Sequence, residues 1–374
     1  MLDSNARLQA EKTARLPIVD RVALMPDAHL GMGATVGSVI GTRDAIIPAA
    51  VGVDIGCGMA AVRLNMNASE LPDDLDRFKP MIAKAIPAGV GQGHEVSTTG
   101  EEWLDMYKGR FSTDLDSRLK NKISTQFGTL GSGNHFFEIC LDEDDRVWMV
   151  LHSGSRGIGN ILATSHIKEA KRVAKEKGYK LEDQDLAYLE SADAEFGLYI
   201  DDMLACQDYA MANRQAMLDA AYVAFRKFLG DYNLRAKERI NCHHNFTELE
   251  QHGNDRLWVT RKGAIRARIG DRGIIPGSMG ADTYIISGRG EPVSYQSCSH
   301  GAGRLLSRSA AKKKFDGDDL RAMMGDKVWQ EEMASSLVDE IPSAYKPIAK
   351  VMEDQRDLVN IEDRLTQVFN YKGT

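Results

Sequence analysis

The sequence predicts an α+β protein formed as one large domain over residues 1–374, and three observations carry that expectation. Short apolar runs stop at glycine or polar residues, as strands do. A long block rich in Ala, Lys, Glu and Leu has helical spacing. No internal repeat, low-complexity tract or Pro/Ser linker divides the chain. In chain order, residues 147–151 form an apolar run between Arg146 and His152-Ser153-Gly154, which reads as a buried strand. Residues 161–229 read as several helices. Within them Leu218, Tyr222, Phe225 and Leu229 recur on one helical face, and Gly230 ends it. Residues 257–260 and 264–267 predict a hairpin turning near Lys262-Gly263. Residues 283–287 read as a further strand. Gly317, which closes a basic, alanine-containing stretch, reads as a helix end.

Hydrophobic residues make up 43% of the 374 and charged residues 27%, which is globular composition. Uncharged apolar stretches such as residues 45–53 fall well short of the roughly 20 apolar residues that span a bilayer. Asp3, Arg7, Glu11 and Lys12 interrupt every turn of the first fifteen residues, so they hold no signal-peptide core. Five cysteines at wide spacing do not make a disulfide framework. A cytoplasmic protein with reduced thiols and no membrane partner is the expectation. The net charge of −7 argues against a protein that merely coats nucleic acid, but local basic runs exist. Arg256, Arg261, Lys262, Arg266, Arg268 and Arg272 form one, and Arg304, Arg308, Lys312, Lys313 and Lys314 another. Each fits either a basic groove or an ordinary solvated face.

The chemistry-bearing residues cluster at glycine-rich turns. Asp54 and Cys57 lie in G-V-D-I-G-C-G-M, residues 52–59. Gly56 and Gly58 leave the thiol uncovered, so one turn offers a hard oxygen and a soft sulfur to a metal. The same octapeptide also fits a tight turn around a buried cysteine. His135 in L-G-S-G-N-H-F-F-E and His152 in L-H-S-G-S-R-G stand beside small residues at strand ends, where a rigid sheet holds a loop-borne ligand. His243 and His244 are adjacent, and adjacent side chains diverge, so one of them faces a shared site. Imidazoles, a carboxylate and a thiolate suit Zn, Mn, Fe or Co. No C-x-x-C or H-x-x-x-H pair is present, so a site with open positions fits better than a structural zinc. P-G-S-M-G (276–280) and S-H-G-A-G-R (299–304) are turns that present backbone N–H groups to phosphate. His300, with Arg304 four residues on, fits a nucleophile that attacks an α-phosphate. It equally fits a further metal ligand or a helix N-terminal residue, and the residue types alone leave these open.

Eight motifs together resemble the RtcB family of RNA ligases over nearly the whole chain. They are M-P-D-A-H-L-G (25–31), G-V-D-I-G-C-G-M, L-G-S-G-N-H-F-F-E, H-S-G-S-R-G, N-C-H-H-N, P-G-S-M-G-A, S-C-S-H-G-A-G-R and the terminal Tyr371-Lys372-Gly373. Single glycine-rich strings are weak, but eight in the family's order are specific. The resemblance implies an RtcB-like fold, with central, sandwich-like β-sheets surrounded by helices. It implies that Asp54, Cys57, His135, His152 and His244 ligate two Mn²⁺ ions, with Cys57 bridging, and that His300 is guanylylated by GTP. Asn134, His135, Phe136, Phe137, Glu138, His244 and Asn245 match nucleotide-pocket positions, with Glu138 on the guanine edge or ribose. So do Pro276, Gly277, Ser278, Met279, Thr283, His300, Gly301, Ala302 and Gly303, and Lys372 matches a lysine that contacts the base. The implied reaction joins an RNA 3′-phosphate, or a 2′,3′-cyclic phosphate opened first, to a 5′-hydroxyl in tRNA or rRNA repair. Archease is a partner of some members. This chain looks short at its N-terminus and between residues 93 and 128, like a subgroup encoded beside a release-factor homologue.

Three rival readings remain distinguishable. Lys314-Phe315-Asp316-Gly317 fits K-x-D-G, the motif of ligases that adenylylate a lysine, but four residues with a free position recur by chance. A metal-dependent cyclic phosphodiesterase would use the same ligands without His300 or Lys372. A non-enzymatic RNA-binding module would display stacking aromatics, yet aromatics are 7% and no RRM, KH or zinc-finger signature occurs.

Overall fold

Seven antiparallel strands form the larger sheet, and their side-chain alternation shows why both faces are buried. The computed structural model describes residues 2–373. In chain order its strands begin with β1 (Val19–His29), β2 (Val36–Thr42), β3 (Ala45–Ile46), β4 (Gly58–Asn67), β5 (Phe136–Leu141), β6 (Arg146–Ser153), β7 (Leu189–Glu190) and β8 (Ala236–His243). They continue with β9 (Asn245–His252), β10 (Asp255–Lys262), β11 (Ala264–Arg266), β12 (Arg272–Pro276), β13 (Thr283–Gly288), β14 (Ser297–Ser299) and β15 (Val359–Lys372). The large sheet runs β12-β13-β15-β5-β6-β4-β8. Its two edge strands approach each other, bridged by Arg272 and Glu238 at 2.7 Å, so the sheet nearly closes into a barrel. With 40% helix, 28% strand and antiparallel pairing, the fold is α+β, as the sequence predicts.

On β4, Ala60, Val62, Leu64 and Met66 face outward and Met59 and Ala61 inward. On β6, Val147, Met149 and Leu151 alternate with Trp148 and Val150 in the same way. The outward set packs on Met217, Leu218, Ala221 and Phe225 of the helix Ala194–Leu229. The inward set meets Ile240, Ile274, Ile285 and Leu365 inside the near-barrel. Burial on both faces is why these strands read as unbroken apolar runs. It also pins the register, because a one-residue slip would exchange the two faces.

The helical block resolves into Arg156–Glu176 and the 36-residue helix Ala194–Leu229, which Gly230 caps in the left-handed conformation. A second sheet runs β1-β2-β10-β9, and β11 pairs with β14. Two local expectations need correction. Residues 257–260 and 264–267 are strands but not a hairpin, because β10 pairs with β2 and β9 whereas β11 pairs with β14. At Gly263 (φ 62°) the chain leaves one sheet for another, its N–H held by the Asn245 side chain at 2.8 Å. Gly317 opens a helix, Gly317–Met324, rather than closing one. Asp316 is its N-cap and accepts from the N–H groups of Asp318 and Asp319.

Gly58 sits opposite Ser153 on one side and His243 on the other, and a Cβ there would overlap the Cys242 carbonyl oxygen. Gly58→Ala is expected to push β8 off β4 and destabilise the protein by about 1–3 kcal/mol, read as a lowered Tm.

Candidate active site

The antiparallel register brings alternate strand starts and ends to one mouth of the near-barrel. Gly58 faces Ser153 and His243, Phe136 faces His152 and Lys372, and Pro276 faces Thr283. Cys57, His135, His152, His244 and Lys372 therefore converge although they are far apart in sequence. The fully buried Arg214 locks this end. Its guanidinium donates to the carbonyls of Gly56 (2.7 Å) and Ser153 (3.1 Å) and to the Asn241 side chain (2.7 Å). His243 turns away to Arg214 and the Gly56 carbonyl, leaving His244 to face inward.

Cys57 Sγ lies 3.2 Å from His152 Nε2 and 3.5 Å from His135 Nε2. His152 Nε2 is 3.2 Å from His244 Nε2, and His135 Nε2 is 3.2 Å from Asp54 Oδ2. Two ligand groups result, Cys57-His152-His244 and Asp54-Cys57-His135, which share the thiol. Nδ1 of His135 donates to the Leu130 carbonyl at 2.9 Å and Nδ1 of His152 to the Asn134 carbonyl at 3.0 Å. A carbonyl only accepts, so the proton sits on Nδ1 and each Nε2 lone pair points at the shared centre. Facing lone pairs repel unless a cation lies between them, and burial holds His152 and His244 well below the usual histidine range. Both are thus kept in the neutral, ligating form. Burial alone would raise the Asp54 carboxyl, but its neighbours His135, Cys57 and His152 bring it down to about 2. Burial, reinforced by Asp54, pushes the Cys57 thiol well above its ordinary value. The donor set fits metal ions, and the cluster can hold one in each group.

His300 stands beside this cluster, its ring 4.9 Å from that of His244 and nearly perpendicular to it. Its Nδ1 donates to Asp27 Oδ2 at 2.6 Å, and its backbone N–H reaches the same oxygen at 3.1 Å. Asp27 has no exposed surface. Although burial raises its carboxyl, His300 brings it below the ordinary range, so an ionised partner stands behind the imidazole. Gly263 makes room for the ring: a Cβ there would lie 2.9 Å from His300 Cε1.

A cavity of about 410 Å³ opens over these groups. Its walls include Asp54, Cys57, Asn134, Phe136, Glu138, His152, His244, Asn245, Pro276, Gly277, Ser278, Met279, His300, Gly301, Ala302, Gly303 and Lys372. His135 lies behind Asp54 and Cys57. Two further residues expected at the nucleotide pocket do not line this cavity. Strand alternation turns Phe137 away from Phe136 and Glu138 into the core beside Phe78 and Phe369. Thr283 is fully buried at the start of β13 and does not line the cavity. Glu138 accepts from Asn370 Nδ2 at 2.8 Å, and burial raises its carboxyl to about 8 despite nearby Lys372.

The family model described as tRNA-splicing ligase RtcB matches residues 9–373. The chain belongs to the RtcB family. The RNA-splicing ligase RtcB of Escherichia coli (strain K12) is 43% identical over an alignment covering 100% of this chain and 95% of that protein. The tRNA-splicing ligase RtcB of Archaeoglobus fulgidus is 29% identical, over 92% of this chain and 86% of that one. The Mycobacterium tuberculosis RNA-splicing ligase RtcB is 28% identical, over 98% of this chain and 100% of its own length. Each of these relatives is named as an RNA-splicing or tRNA-splicing ligase. No helix among the described residues is long and apolar enough to cross a membrane.

Sequence reasoning missed several groups at this RtcB site. Asp27 stands in the M-P-D-A-H-L-G motif, which was its only signal. Arg156 has φ of 57°, a strained conformation for arginine, and its guanidinium packs against Gly131 near His135. Of the first basic run, Lys262 alone lines the cavity. Its ammonium is tied to the carbonyls of Met32 and Ala49, and burial lowers it to about 8. Arg261, Arg266, Arg268 and Arg272 are spent on Glu250, Glu248 and Glu238, so that run is no open basic groove. His29 also lines the cavity, its Nδ1 on the Asp27 carbonyl at 3.0 Å.

Because the Cys57 thiol is raised while His152 and His244 are already neutral, metal binding must displace the thiol proton. Affinity is expected to rise about tenfold per pH unit between pH 6 and 8 for each proton released. Calorimetry in buffers of different ionisation enthalpy would read that release, and Cys57→Ala should abolish it.

Proposed function

We propose that this RtcB-family protein is a GTP- and Mn²⁺-dependent RNA ligase that joins a 3′-phosphate or 2′,3′-cyclic phosphate end to a 5′-hydroxyl. The observation that carries the reading is His300. Its Nδ1 is fixed on buried Asp27, its ring abuts the ligand cluster, and it shares one cavity with Glu138 and Lys372. With the proton on Nδ1, the lone pair of Nε2 is free for attack. His300 Nε2 bonds to the GTP α-phosphorus as the bond to the pyrophosphate oxygen breaks. Asp27 stabilises the positive charge that develops on the imidazole. An oxygen of the RNA 3′-phosphate then takes the GMP and frees His300. Finally the 5′-hydroxyl oxygen attacks the activated phosphate, giving up its proton as GMP leaves. Mn²⁺ ions held by Asp54, Cys57, His135, His152 and His244 would supply Lewis-acid stabilisation of phosphate charge.

The remaining roles follow from placement. Glu138 and Lys372 take the guanine edge or ribose, with Phe136 beneath the lysine at 5.5 Å. Backbone N–H groups at Ser278, Gly301 and Gly303 suit phosphate oxygens. Arg308, which lines the cavity and keeps nearly half of its side chain exposed, is the cation placed to meet an RNA phosphate. Lining residues run from His29 to Lys372, which supports a single catalytic domain over residues 1–374. Repair of tRNA or rRNA, in the cytoplasm, is the process this activity serves. Archease or a release-factor homologue is the partner class that the family likeness implies.

Incubation with α-labelled GTP and Mn²⁺ should label the protein covalently, and His300→Ala and Cys57→Ala should abolish the label. Asp27→Asn should slow labelling at least about a hundredfold while GTP binding persists. An unlabelled protein that opens 2′,3′-cyclic phosphates would instead be a phosphodiesterase.

A further inference from the structure

One buried carboxylate in the cavity wall belongs neither to the ligand cluster nor to the nucleotide-pocket positions. Glu340 has a side chain only 5% exposed, yet it meets three cations and a phenol. Its Oε1 accepts from Arg308 at 2.7 Å and lies 3.4 Å from Arg304. Its Oε2 accepts from the Tyr345 hydroxyl at 2.7 Å and lies 3.4 Å from Lys372 Nζ. Arg304 in turn stacks on the Tyr345 ring at 4.7 Å and donates to its hydroxyl oxygen at 2.7 Å. Asp339 meets the same Arg308 nitrogen at 2.7 Å and lies 3.3 Å from Lys312. Glu340, Arg304, Arg308, Tyr345 and Lys372 all face the cavity.

We propose that Glu340 is a positioning and selectivity residue, which aligns Lys372 and Tyr345 for the base and opposes anions that lack a matching base. The inference rests on the GTP-dependent reading above. A carboxylate at this place has two effects. It fixes the lysine and the phenol by charge-assisted hydrogen bonds, so the base end of the cavity is set before a nucleotide arrives. It also offsets part of the positive potential of Arg304, Arg308 and Lys372, so a bare polyphosphate finds a weaker attraction than the cation count implies. Discrimination then comes from contacts made only by the right base, together with a penalty on everything else.

The test is equilibrium binding of GTP, ATP and inorganic tripolyphosphate to the wild-type protein, Glu340→Gln and Tyr345→Phe. Removing the charge in Glu340→Gln should tighten tripolyphosphate binding and lower the preference for GTP over ATP by about tenfold. Tyr345→Phe, which removes one hydrogen bond to Glu340 and keeps its charge, should lower the preference less and leave tripolyphosphate unchanged. It decides the matter if Glu340→Gln does not fold. A purely structural Glu340 would weaken GTP and ATP by the same factor. An unchanged GTP-to-ATP ratio in the folded variants overturns the inference alone. A wild-type protein that binds GTP no better than ATP overturns the GTP reading and this inference together.

Discussion

The thiol of Cys57 is the constraint on which the site depends, because two groups of ligand atoms share it and neither is complete without it. Its place follows from glycine. Gly58 allows β8 to run against β4, and Gly56 (φ 71°) lets the chain turn beneath the helix Ala194–Leu229, where a Cβ would press on Ala210. Arg214, from that helix, then ties Gly56 and Ser153 together through their carbonyls. A buried guanidinium with this many acceptors is satisfied, and removing it would leave several carbonyls without donors. The helix is therefore part of the site, although it contributes none of the ligand atoms.

Around that centre the protein stores a consistent charge pattern. His152 and His244 are held neutral, His135 and His152 point their Nδ1 atoms outward to carbonyls, Asp54 is held ionised, and Cys57 keeps its proton. His300 belongs to the same neighbourhood but to a different network, since its partner Asp27 comes from the smaller sheet. The cavity thus lies where two sheets meet, with ligands from the near-barrel on one side and the Asp27-His300 pair on the other. This division lets one wall manage phosphate charge and the other present a nucleophile.

Much of this was legible in the sequence because the chemistry uses uncommon residues at glycine-marked turns. Asp54, Cys57, His135, His152 and His300 each stand within two residues of a glycine, His244 follows a second histidine, and the geometry brings all six together. The strand at residues 147–151 and the helix ended by Gly230 could be read because burial pattern and local capping agree. Pairing partners could not be read. The segments flanking Gly263 look like a hairpin because a turn residue separates two apolar runs, and nothing local records that they join different sheets. Gly317 misleads for a related reason: the capping carboxylate of Asp316 decides that the glycine starts a helix. Asp27, Lys262 and Glu340 are common residue types whose meaning lies wholly in tertiary neighbours. Phe137 reads in sequence as a pocket residue like its neighbours, but strand alternation turns it to the opposite face.

The central claim is that Cys57 joins two cation sites at the mouth of the near-barrel. Anomalous diffraction at the manganese edge, from crystals of the protein grown with Mn²⁺, tests it most directly. Two peaks flanking Cys57 Sγ are expected, one toward His152 and His244 and the other toward Asp54 and His135. Manganese bound elsewhere, with none at Cys57, would contradict the account.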